Sequence, residues 1–167
     1  MFIVMISIDY NDYCIKINDN VLVIMSKYIQ CKSKYESGGI LIGSILIDGK
    51  TIEINDCTEP IRGDKASRYG FYRCTKHNEI LEKKWIESNY INMYLGEWHT
   101  HPQSIPSPSY VDKKSWTRLI KDSITDSPII IFLIIGIETI EIWIGNKSHN
   151  KLERVGSYGF RNSTTNY

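Results

Sequence analysis

A mixed α/β fold, built on a central and largely antiparallel sheet with helices packed against it, is what this sequence predicts. Three observations carry the expectation. β-branched runs recur at 40–47, 51–55, 129–135 and 139–144. Between them lie stretches whose apolar residues return at the spacing of one helical face. The first two runs meet across Asp48-Gly49, a tight-turn signal that makes them neighbouring antiparallel strands.

Taken in order, an apolar run over 1–8 reads as a buried strand and is followed by a short strand at 14–17. Asn18 can cap a helix whose Val21, Leu22, Met25, Tyr28 and Ile29 share one face, and which should end near Lys34. Ser37-Gly38-Gly39 leads into the hairpin. Residues 59–67 read as a polar loop and 69–74 as a strand, after which Thr75 caps a helix carrying Ile80, Leu81, Trp85 and Ile86 to about Ser88. The chain extends again over 92–99, breaks at Pro102, Pro106 and Pro108, and resumes as a helix from Ser109 through Trp116, Leu119 and Ile120. Strands at 129–135 and 139–144 follow, with a short third at 152–155. With 167 residues, 42% apolar and 23% charged, one domain over 1–155 can bury a real core, leaving a polar tail over 156–167.

Composition excludes more than it names. Twenty basic against nineteen acidic side chains give a net charge of +1, so no strong field draws the chain to nucleic acid or to an anionic membrane. The apolar runs at 1–8 and 128–137 fall short of the roughly 20 residues of a spanning helix, and the first lacks the basic leader of a signal peptide. Cys14, Cys31, Cys57 and Cys74 stand far apart with no C-x-x-C pair, which fits a reducing cytoplasm better than a disulfide framework or a zinc ribbon.

The chemistry concentrates in Gly96-Glu97-Trp98-His99-Thr100-His101-Pro102 and in Ser109-Tyr110-Val111-Asp112. On an extended strand, residues two apart face the same side, so His99 and His101 point together. Asp112, in the first turn of the next helix, can supply a third ligand once the proline-rich loop has folded back. Three protein ligands leave a fourth position for water, which separates a catalytic zinc from a structural one. Simpler readings compete, because Ser109-x-x-Asp112 is also a capping box and a histidine before proline is often just a surface residue. Spacing removes most other paired-histidine families. A metallo-β-lactamase wants an acid where Gln103 stands, a zinc deaminase wants H-x-E with P-C-x-x-C, and a TIM barrel needs about 250 residues. Non-haem iron oxygenases, with two histidines and a carboxylate, remain open.

The full spacing, His99-x-His101, seven residues, Ser109, two residues and Asp112, resembles the JAMM (MPN+) metalloprotease motif. Its upstream acid looks like Glu36, since Tyr35-Glu36-Ser37-Gly38-Gly39-Ile40-Leu41-Ile42-Gly43 is similar to the family's acid, paired glycines and apolar strand. Tyr94-Leu95-Gly96-Glu97-Trp98-His99-Thr100-His101-Pro102 is similar to the prokaryotic JAB branch, in particular to peptidases encoded beside ubiquitin-like conjugation machinery in bacterial antiphage (CBASS) operons. The resemblance spans about 15–145. It implies a cytidine-deaminase-like JAB domain and a Zn2+ cofactor held by His99, His101 and Asp112. Glu36 would be the general base and Ser109 the donor to the oxyanion. It further implies a conjugated protein as substrate, either a ubiquitin-like modifier or a modified enzyme, with activating and conjugating enzymes of the same operon as partners.

Glu97 complicates that assignment, because on a regular strand it shares a face with both histidines and local geometry alone favours the nearer acid. His77 and His149 lie outside the motif and are not expected as ligands. Tyr69, Phe71 and Tyr72 could line a substrate groove, although an aromatic strand is more often core. Trp98 and Trp116 read as packing around the site. Two other functions stay in view: a catalytically silent scaffold of the same fold, and an amidase for small molecules or sulfur carriers.

Overall fold

A computed structural model describes residues 5–31 and 33–159, so the start of the first apolar run and the end of the expected tail lie outside the described residues. The first hairpin, β1 (Ile6–Tyr10) and β2 (Tyr13–Ile17), turns through Asn11 and alternates cleanly, burying Ile6, Ile8 and Tyr10 while Ser7 and Asp9 face out. Helix α1 (Asp19–Ser26) sinks Val21, Leu22 and Met25 completely. It stops well short of Lys34. After Met25 the backbone bonds tighten to the i−3 pattern at Lys27, Tyr28 and Ile29, and the buried Gln30 side chain donates to the Lys34 and Arg68 carbonyls, pulling the chain out of the helix.

Strands β3 (Gly38–Ile45) and β4 (Thr51–Cys57) form the expected hairpin. Its turn is held by Asp48, whose carboxylate accepts from the Lys50 and Thr51 amides. Beyond it, where a polar loop was expected over 59–67, the chain makes a small separate hairpin of β5 (Lys65–Ser67) and β6 (Gly70–Tyr72). Helix α2 (Lys76–Glu87), strand β7 (Met93–Thr100), helix α3 (Tyr110–Asp122) and strands β8 (Ile129–Ile135), β9 (Thr139–Asn146) and β10 (Lys151–Gly159) complete the order. Strand β10 pairs with β9 as far as Gly159, so residues 156–159, expected in the polar tail, belong to the sheet.

One eight-stranded sheet, ordered β1-β2-β4-β3-β7-β8-β9-β10, organises the molecule. Its pairs are antiparallel except β2 with β4 and β7 with β8. The run of β8 is apolar throughout because both of its faces are covered. Ile129, Ile131, Leu133 and Ile135 enter the larger core with α1, while Ile130, Phe132 and Ile134 pack under Trp116 and Ile120 of α3. The two edge strands approach each other, with Tyr10 Oη donating to Glu153 at 2.9 Å and Tyr158 Oη to the Ser7 carbonyl at 3.3 Å. Among the described residues no helix is long and apolar enough to cross a membrane.

Strand β7 lies at the centre, between β3 and β8, and it carries a bulge where Leu41 pairs with Gly96 and Ile42 with Tyr94. Gly96 sits at φ +149°, and a Cβ there would lie 1.8 Å from the Ile131 carbonyl oxygen, so no side chain fits without parting β7 from β8. Gly96→Ala should therefore cost about 1–3 kcal/mol of stability, read as a lower urea midpoint with unchanged slope. A midpoint equal to that of the parent would show that the β7–β8 contact yields easily.

Candidate metal centre

The site is built at the end of β7, where the strand is held on both sides. The Thr100 amide donates to the Ser37 carbonyl at 2.8 Å, and the Ser37 amide donates back to Thr100 Oγ1 at 3.0 Å. On the other side the His101 amide donates to the Ile135 carbonyl at 3.0 Å. These bonds fix the directions of His99 and His101 and hold Glu36, just before β3, against them. Gly39 permits the close approach behind this segment, since a Cβ would meet the Thr58 carbonyl oxygen at 2.1 Å. Past Pro102 the loop packs on the β8–β9 turn, where the Ile137 amide donates to the Gln103 carbonyl, and this returns the chain to Ser109 at the start of α3.

Three predicted residues converge. Nitrogen and oxygen atoms of His99, His101 and Asp112 all lie within 4.8 Å of one another. The two Nε2 atoms are 3.1 Å apart, and Asp112 places Oδ1 at 3.5 Å from His99 Nε2 and Oδ2 at 3.4 Å from His101 Nε2. Two nitrogens each about 2.0–2.1 Å from a tetrahedral ion stand at a similar spacing, so the donor set fits a cation. Glu36, only 6% exposed, brings Oε1 to 3.8 Å from His101 Nε2.

The capping reading of Ser109-x-x-Asp112 holds in the structure. The Asp112 amide donates to Ser109 Oγ at 3.1 Å and the Ser109 amide donates to Asp112 Oδ2 at 2.6 Å. The cap fixes the carboxylate where the histidines need it. It uses Ser109 Oγ only as an acceptor, which leaves the hydroxyl proton free to be donated elsewhere.

Among Glu36, Asp112 and His101, burial sets the direction of the shift at Glu36 alone. It pushes the Glu36 carboxyl up to about 7, the nearby Asp112 charge adding to the rise and His101 opposing it. For Asp112 burial also raises the pKa, but hydrogen bonds from His101 and His99 outweigh it and hold the group well below the usual carboxylate range. For His101 burial works downward, and the Asp112 hydrogen bond with the Glu36 charge carries the net shift upward.

Other residues fall differently. Glu97 faces the same cleft but is held by Arg73, whose Nε and Nη2 both reach Oε1, at 2.8 and 2.7 Å. Arg73 had no sequence signal, because its partner lies 24 residues on, beyond helix α2. His77 is fully buried and bonded to Thr58 Oγ1 at 2.6 Å and to both Asp64 oxygens at 3.1 Å, and His149 is exposed, so neither joins the cluster. Trp98 and Trp116 are packed as expected, and Trp116 stacks on Phe132 with its centroid 6.0 Å from the His99 ring. The aromatic strand is not core: Tyr69 and Tyr72 are 78% and 62% exposed. With Phe71 they form one wall of a cleft of about 860 Å³ that reaches Glu36, both histidines and Asp112.

A mixed α/β domain with a histidine–histidine–aspartate centre at the end of its middle strand defines the class. The chain belongs to the family of prokaryotic homologs of the JAB domain, which it matches over residues 19–145. It is 36% identical over 146 residues to a "CD-NTase/cGAS isopeptidase" of Escherichia coli (strain TW11681), covering 82% of this chain and 88% of that protein. A protein of the same description from Vibrio cholerae serotype O1 (strain ATCC 39315 / El Tor Inaba N16961) is 32% identical over 145 residues, covering 83% and 85%. The solution structure of DSY2949 from Desulfitobacterium hafniense shares the fold, with a TM-score of 0.57 at 17% identity over 83% of this chain and 87% of that one.

Glu36 ordinarily titrates at 4.5 and here near 7, so between those values the folded chain keeps a proton that the unfolded chain releases. That preference is fully felt below 4.5 and is lost as pH rises through 7. His101, also raised, acts in the same direction, whereas the contribution of Asp112 is lost only in acid, below its ordinary 3.8. Raising the pH of metal-free protein from 5 to 8 should therefore cost about 1–3 kcal/mol at this site, and most of that loss should vanish in Glu36→Gln. Equal pH dependence of the urea midpoint in both proteins would contradict the burial argument.

Proposed function

We propose that this protein is a zinc-dependent isopeptidase that frees a protein from a covalent conjugate by hydrolysing the amide between its C-terminal carboxyl and a lysine amine. The observation that carries the reading is the convergence of His99, His101 and Asp112 beside a buried Glu36 whose proton affinity is matched to neutral pH. The complete donor set argues against a silent scaffold. That the relatives are CD-NTase/cGAS isopeptidases supports a CD-NTase as the conjugated protein, and the resemblance over Tyr94–Pro102 supports a bacterial antiphage operon. The cysteines are free, which suits a cytoplasmic location.

In this reading His99 and His101 offer neutral Nε2 lone pairs and Asp112 a carboxylate oxygen to the ion. Zinc, held by these three side chains, would supply Lewis acidity for activating water and polarising a carbonyl. Glu36 takes a proton from water as the water oxygen bonds to the carbonyl carbon. Ser109 donates its hydroxyl proton in a hydrogen bond to the developing oxyanion. Glu36 then passes its proton to the lysine nitrogen as the C–N bond breaks. That transfer is required because a free lysine amine has a pKa of about 10.4 and leaves poorly as an anion. Glu97, neutralised by Arg73, orients the cleft wall and takes no proton.

Glu36→Gln should lower kcat by about 10²–10⁴ while zinc affinity stays at the parent value, and Glu97→Gln should retain turnover. Ser109→Ala should lower kcat by about 10²–10³ and also weaken the α3 cap by roughly 1 kcal/mol. The assay is release of a lysine conjugate made from a CD-NTase tail, with zinc restoring what a chelator removes. Cleavage that survives the chelator would reject the reading.

A further inference from the structure

Charge is unevenly spread around the cleft. Between Arg62 and Lys76 five basic side chains face one acid, and α3 carries four against two, whereas the whole chain has 20 against 19. The remainder of the molecule is therefore net acidic, and the positive charge lies on the two segments that form the cleft walls. Lys65, Arg68, Lys113, Lys114 and Lys121 are exposed, and none has a carboxylate within ion-pair distance among the described residues.

The acids of the cleft are already engaged. Glu97 is held by Arg73, and Glu36 and Asp112 face the imidazoles of the centre. Asp122 pairs with Arg118 at 3.5 Å, but with Arg118 84% exposed that bond is weak and exchangeable. Arg118 itself lines the cleft, and Lys114 and Lys121, one turn before and after it, lie on the same side of α3. From Lys114 to Lys121 the helix advances about 10 Å, so this row spans roughly three residues of extended chain.

We propose that this cationic rim selects conjugates whose C-terminal tail carries acidic side chains just upstream of the bond to be cut. The inference rests on the isopeptidase reading of the centre and names the chemistry of its substrate. Extended backbone lies along the cleft between the exposed tyrosines and α3, and carboxylates of the tail meet Lys114, Arg118 and Lys121. Attraction of this kind acts on encounter and ground-state binding, so it lowers KM more than it raises kcat, and salt weakens it.

The test uses zinc-loaded protein and three lysine isopeptides identical except for three glutamates, glutamines or lysines upstream of the scissile residue. The glutamate tail should exceed the glutamine tail by about tenfold in kcat/KM at low salt, with the lysine tail slowest. The advantage should shrink in 1 M salt and invert in Lys114→Glu/Lys121→Glu. Binding of the same peptides to Glu36→Gln reads the preference without turnover. Failure of cleavage would thus sink the isopeptidase reading while this measurement still decides the rim. Equal or reversed order of binding, with cleavage intact, overturns the acidic-tail inference alone. Equal peptide binding together with displacement by a single-stranded oligonucleotide overturns it in favour of a nucleic-acid surface.

Discussion

The centre depends on one constraint, the clamping of the last residues of β7 between β3 and β8. Thr100 exchanges two hydrogen bonds with Ser37, and the His101 amide is held by the Ile135 carbonyl, so the strand stays extended up to the proline that ends it. Extension keeps His99 and His101 on one face, and the same bonds set Glu36 beside them. The requirement reaches into the core. Gly39 and Gly96 must be small for three backbones to meet at these distances, and the wholly apolar β8 gives β7 a rigid neighbour buried on both faces.

Single groups here serve two purposes. Asp112 caps α3 and faces both imidazoles, so folding the helix is the step that brings the three candidate ligands together. Ser109 accepts in that cap and keeps its proton. Burial of Glu36 lifts its proton affinity toward neutrality, a liability for the stability of metal-free protein and, in the proposed reaction, an advantage for a base that would both take and return a proton. A cation at the centre would lower that affinity and relieve part of the cost.

Much of this was legible in the sequence because it is carried by periodicity and spacing. Strands with long β-branched runs, the Asp48-Gly49 turn, the capped start of α3 and the spacing of His99, His101, Ser109 and Asp112 are local patterns, whereas Glu36 is picked out by the family resemblance and Thr75, expected to cap α2, makes no side-chain bond there. What escaped depends on distant contacts. The end of α1 is set by Gln30 reaching Arg68, and the three-residue strands β5 and β6 are too short to alternate. Tyr69 in the turn and Tyr72 of β6 face outward because the hairpin stands off the main sheet. Glu97 shared a face with the histidines as expected, yet its role turns on Arg73, 24 residues away, which no local pattern announces.

Cobalt substitution tests the central claim most directly, since geometry around Co2+ is visible in its absorption spectrum. One equivalent per chain should bind with the intense visible bands of a four-coordinate site. That spectrum should shift when a small anion replaces the solvent ligand, and it should be lost in His101→Ala. A weak six-coordinate spectrum, or binding that survives removal of His101, would contradict an open site made by two imidazoles and one carboxylate.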